Sequence, residues 1–95
     1  MTQDLKTLRS EIDLLDREIV RLLNRRARLG LEAGETKKGL GRPIADSKRE
    51  REVLVRVAMA NEGPIPQDVL LALYRELIET IKRLEELDGS GSKPA

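Results

Sequence analysis

The sequence predicts an all-α protein of three helices, the first far longer than the others. Three observations carry this. Apolar residues recur at alternating three- and four-residue spacing through the first third of the chain. Two short stretches rich in Gly, Pro and Asn divide the remainder. The 95 residues include a single aromatic, Tyr74, and no segment with period-two alternation, so a sheet has little to be built from.

The first helix is read from the stripe Leu5, Leu8, Ile12, Leu15, Ile19, Leu22, Leu29 and Ala33. No proline interrupts it before Pro43, and it should run from about residue 4 to about residue 38. Such a helix is roughly 50 Å long, far beyond the radius of gyration of about 13 Å expected for a compact domain of this size. Gly30 and Gly34 lie inside the pattern, each costing about 1 kcal/mol relative to Ala. Their i,i+4 spacing either admits another segment closely or is merely tolerated.

Gly39-Leu40-Gly41-Arg42-Pro43 is a loop. Ser47-Lys48-Arg49-Glu50 matches the S-x-x-E capping box, which starts a second helix near Lys48 that runs to about Ala60. Asn61-Glu62-Gly63-Pro64 stops it, with Asn61 or Gly63 as the cap. Pro66 and Asp68 open a third helix, striped by Leu70, Leu73, Leu77, Ile81 and Leu84 and widened by Leu71, Tyr74 and Ile78, which ends near Leu87. The helical domain is thus expected over 1–88, with 89–95, rich in Gly and Ser, a flexible tail or linker.

The shorter helices cannot cover the first. Half of its stripe would face water, and a second copy in an isologous two-fold dimer is the commonest cover.

Composition removes several chemistries. With no Cys there is neither a disulfide nor a thiol nucleophile, and with no His there is no imidazole base or His-containing zinc site. Eighteen Lys and Arg against seventeen Asp and Glu leave a formal charge of +1, and no Trp or Phe offers a stacking platform, so nucleic acid is not the expected partner. No signal-peptide h-region and no apolar run approaching about 20 residues is present, so a cytoplasmic protein without membrane partners is expected. Any catalysis falls to Arg, Lys, Asp, Glu, Ser, Thr, Tyr or the backbone.

Four polar groups stand out against the apolar pattern. Arg26 occupies the stripe between Leu22 and Leu29, where it pairs with an acid of its own chain, reaches to water, or meets a ligand. Lys37, eleven residues on, is rotated by only about 20° and lies roughly 16 Å along the axis, so the two cations share a face and can converge on a small anion. Arg9 is about 25 Å from Arg26 and turned by roughly 100°, so it can join them only from a partner chain; otherwise it is a solvated charge. Glu85 follows Leu71, Tyr74, Ile78 and Ile81 at a position where an apolar group is due. Desolvation there raises a carboxyl pKa, unless the helix end frays into water.

Leu8-Arg9…Ile12-Asp13…Leu15-Asp16, Leu22-Leu23-Asn24-Arg25-Arg26, Gly34-Glu35-Thr36-Lys37 and Arg42-Pro43-Ile44-Ala45-Asp46-Ser47-Lys48-Arg49-Glu50 together resemble the all-helical (type II) class of chorismate mutases, over about residues 5–86. The resemblance implies an intertwined homodimer with two equivalent sites and no cofactor or metal, acting on chorismate in aromatic amino-acid biosynthesis. It implies that Arg9 from the partner, Arg26 and Arg49 grip two substrate carboxylates. Lys37 and Glu85 stand beside the ether oxygen, and Glu50, with the backbone near Asp46, takes the ring hydroxyl. Ile81 replaces a small hydroxyl residue found in some members, which removes a contact to the ring carboxylate. The resemblance also admits a domain fused to a 3-deoxy-heptulosonate-phosphate synthase and sensing prephenate, an isochorismate pyruvate lyase, and a non-catalytic helical dimer.

Overall fold

Asp4 starts the first helix. Its carboxylate accepts the backbone N–H of Thr7 at 2.8 Å, and that bond holds the carboxyl below its ordinary pKa. The computed structural model of the chain describes residues 4–89, which contain three helices: α1 (Leu5–Gly39), α2 (Ser47–Ala60) and α3 (Gln67–Gly89). Gly41, at φ 71°, turns the chain out of α1, while the N–H groups of Leu40 and Arg42 close on the last carbonyls of the helix.

The cap of α2 differs from the expected box. Asp46 is the N-cap, and its side chain accepts the N–H of Arg49 at 3.0 Å; Ser47 is the first helical residue. Glu50 is therefore one position too late to close a capping box and is free for another task. At the other end Asn61 is the C-cap, its amide donating to the Ile65 carbonyl and its side-chain oxygen accepting from Gly63 N–H. The Pro66 carbonyl accepts the N–H of Leu70 and so begins α3, which continues to Gly89, slightly past the expected end at Leu87. Apart from Gly89, the expected tail over 89–95 lies outside the described residues.

Both α1 and α2 pack on α3, and among the described residues they do not pack on each other. The result is an extended object, 57 × 32 × 15 Å with a radius of gyration of 17.1 Å, against about 13 Å for a compact domain of this size. Only the second half of α1 is covered. Every described residue before Arg26 is exposed, including the stripe positions Leu8, Ile12, Leu15, Ile19 and Leu22.

On α3 the covered face runs through Leu70, Leu71, Tyr74, Leu77, Ile78, Ile81 and Glu85, whereas Leu73 and Leu84 of the expected stripe are exposed in the single chain. Ile81, 4 % exposed, is the one buried apolar side chain among the described residues. It fits against Gly30, where an added Cβ would fall 2.6 Å from its Cγ2. Gly34 plays the same part for Glu85 one turn on, so the two glycines admit α3 side chains closely and are not merely tolerated.

Candidate active site

Because α1 and α2 diverge above α3, a cavity of about 540 Å³ opens between them, within the range of small-molecule sites. Its charged lining is contributed by all three helices: Arg26 and Lys37 from α1, Arg49, Glu50 and Arg56 from α2, Lys82 and Glu85 from α3. Asp46, at the start of α2, and Ile81 also line it. Seven of the eight residues singled out in the sequence are thus brought together. Arg9 is exposed on the bare half of α1 and does not reach this cavity within its own chain.

Arg26 is half-buried, with its guanidinium carbon 5.9 Å from the centroid of the Tyr74 ring. Among the described residues no carboxylate of the chain forms an ion pair with it. Its charge is held by an aromatic face and left available to the cavity. Lys37 is held differently: its ammonium donates to the Ile44 carbonyl at 2.6 Å, which ties the end of α1 to the loop before α2. A lysine has three donors, so two remain.

Glu85 is the electrostatic anomaly. Its Oε2 is buried without a hydrogen-bond partner. Burial lifts its carboxyl above the ordinary value of 4.5; the charges of Lys37 and Lys82 oppose the shift, and those of Glu50 and Glu86 add to it. A carboxyl so placed keeps its proton to higher pH than a free one. Ile81 takes no polar part and serves as the packing wedge of the α1–α3 interface.

Sequence reasoning missed Lys82, Arg56 and Tyr74 as residues lining the cavity. Lys82 Nζ lies 3.1 Å from Glu50 Oε2 and 3.4 Å from Glu79 Oε2. Its i,i+3 relation to Glu79 was visible in the sequence, but its reach to α2 depends on how α2 crosses α3. Tyr74 was read as part of an apolar stripe; its ring also carries Arg26.

A chain of three helices that gathers cations over a cleft of this size has the room and the charge to hold a small anion between helices rather than at a sheet edge. The chain belongs to the chorismate mutase type II family, whose pattern matches residues 8–86. A chorismate mutase from Methanocaldococcus jannaschii is 30 % identical over 87 residues, covering 90 % of this chain and 88 % of that protein. A bifunctional chorismate mutase/prephenate dehydratase from Aquifex aeolicus is 42 % identical over 88 residues, covering 88 % of this chain and 24 % of that protein. The chain thus spans about a quarter of the length of such bifunctional relatives. The structure of a chorismate mutase (form II) from Thermus thermophilus superposes with a TM-score of 0.83 at 39 % identity, covering 88 % of this chain and 96 % of that one.

Proposed function

We propose that this chain converts chorismate to prephenate, in a homodimer whose sites each borrow Arg9 from the other subunit. The observation that carries this reading is the convergence of Arg26, Lys37 and Arg49 with Glu50 and Glu85 on one cavity, in a chain of this family. The bare first half of α1 supports the dimer, because its exposed stripe needs a cover and carries Arg9.

The reaction is a unimolecular Claisen rearrangement. One carbon–oxygen bond breaks as one carbon–carbon bond forms, with no proton transferred and no covalent intermediate, so a chain without His or Cys is equipped for it. The first requirement is to hold a flexible dianion in its compact reactive conformer. Arg26, Arg49 and the second copy's Arg9 serve it as bidentate partners of the two carboxylates. The second requirement is to stabilise the negative charge that grows on the ether oxygen in the transition state. Lys37 supplies positive charge there, and a protonated Glu85 donates a hydrogen bond to the same atom. Glu50, with the backbone near Asp46, accepts from the ring hydroxyl.

A purely structural dimer leaves Arg26 unexplained, since an adhesive surface gains nothing from a half-buried cation lacking an acidic partner. No described helix is long and apolar enough to cross a membrane, and a cytoplasmic setting in aromatic amino-acid biosynthesis suits the proposed substrate. The test is to mix the purified protein with chorismate at several pH values and follow both chorismate loss and prephenate formation. Prephenate in step with chorismate loss is expected. A folded dimer without turnover overturns the reading and makes isochorismate the next substrate to try.

A further inference from the structure

Lys82 lines the cavity but has no part in the scheme above. Its bond to Glu50 is the one ion pair among the described residues that joins two helices; the others link residues three apart on the same helix. Both partners are largely shielded, with side-chain exposures of 22 % for Lys82 and 32 % for Glu50. Glu79 takes the other side of the ammonium and steadies it from one turn back on α3. Glu50 is available for this pair because Asp46 rather than Ser47 is the N-cap of α2, which puts Glu50 one position beyond the capping-box site.

A glutamate side chain has three free torsions, and holding it in one orientation costs conformational entropy. The ammonium of Lys82 fixes one carboxylate oxygen, Oε2, and with it the orientation of the other. We propose that Lys82 is a positioning residue for Glu50: it occupies Oε2 so that Oε1 faces the cavity as the acceptor of the substrate's ring hydroxyl. This rests on the chorismate reading and adds to it the residue that sets recognition of the hydroxyl. Lys82 does not touch the substrate in this scheme. Since the hydroxyl lies away from the bond that breaks, the contact is made equally in ground and transition states, and its loss appears in KM rather than kcat.

The experiment is steady-state kinetics on the dimer with chorismate. Lys82→Met keeps the aliphatic stem and removes the charge; Lys82→Gln serves as a second neutral variant, with thermal unfolding followed for each. At a pH low enough that Glu85 keeps its proton with or without the Lys82 charge, the expected result is a KM raised about tenfold, as for loss of a charge-assisted hydrogen bond, with kcat within about twofold of the unmodified enzyme and recovery of KM in Lys82→Arg. In a Glu50→Gln background, adding Lys82→Met should raise KM no further, because the lysine acts through the glutamate. Full multiplication of the two effects overturns the proposal, as does a KM unmoved by either neutral variant while the unmodified protein turns over. Absence of turnover in the unmodified protein overturns the chorismate reading, and this proposal with it.

Discussion

A Cβ placed on Gly34 of α1 would lie 2.8 Å from Oε2 and 3.1 Å from Cδ of Glu85 on α3. The missing side chain of one residue is the space occupied by the carboxyl of the other. Four residues earlier, Gly30 makes the same room for Ile81, at 2.6 Å from its Cγ2. The two substitutions to alanine should nevertheless have different consequences.

In Gly34→Ala the nearest obstacle is the carboxyl end of a flexible side chain, with its Cγ also at 3.1 Å, so Glu85 must swing aside. The helix gains about 1 kcal/mol of propensity, so stability should hold or rise slightly. Activity should fall, because Glu85 is displaced from the cavity. In Gly30→Ala the obstacle is the stiff, buried Ile81, and overpacking there should cost about 1–3 kcal/mol. Thermal unfolding and kcat measured on both variants check the contrast. A Gly34→Ala enzyme with undiminished kcat would show that Glu85 need not sit where it does.

The raised pKa of Glu85 sets a pH dependence with a definite sign. The folded chain holds this proton to higher pH than the unfolded chain. The group's contribution to stability is therefore fully present below the ordinary value of 4.5 and is lost as pH rises through the raised value. Activity should follow the same direction, since in the proposed mechanism only the protonated carboxyl donates to the ether oxygen. Glu85→Gln should flatten the fall of kcat/KM with rising pH, because an amide donates at every pH. A profile of the variant that overlies the unmodified enzyme's would sink the assignment.

Arg26 rests over Tyr74 without an acidic partner in its own chain. Arg26→Ala should lower kcat/KM by about 100-fold or more through lost charge-assisted bonds to a carboxylate. Stability should stay within about 1 kcal/mol, since no ion pair is broken. Kinetics and thermal unfolding on one preparation separate the two effects. A variant that unfolds readily would mean that Arg26 supports the fold rather than the substrate.

Arg9 tests the shared site. Arg9→Ala and Lys37→Ala should each give a nearly inactive dimer. After mixing in equal amounts and exchanging subunits, about half the dimers carry one chain of each kind, with one of two sites intact. Activity should recover to about a quarter of that of the unmodified enzyme. No recovery, with exchange verified by mass spectrometry of the intact dimer, would place Arg9 outside the partner's site.

Helix order and extent were legible in the residues because they rest on local rules: apolar spacing, breaks at Gly and Pro, and capping side chains. So was the common face of Arg26 and Lys37, since the geometry of a single helix decides it. The capping box was misplaced by one residue, because Asp46 and Ser47 are both competent caps and only the backbone at Asp46 chooses between them. The inward face of α3 was only partly legible. Leu73 and Leu84 match the spacing as well as Ile78 does, and nothing in the spacing says which side meets α1.

What the sequence determined by itself is everything that depends on neighbours within a few turns: an all-helical chain, a first helix too long for its companions, and cations and a carboxyl set against apolar stripes. What the tertiary structure decided is how three helices cross. That crossing places Lys82 against Glu50, Tyr74 beneath Arg26, and Glu85 in the notch left by Gly34. These contacts join residues far apart along the chain, and their existence depends on interhelical distance and angle. Such quantities follow from the packing of whole surfaces, so no local pattern encodes them.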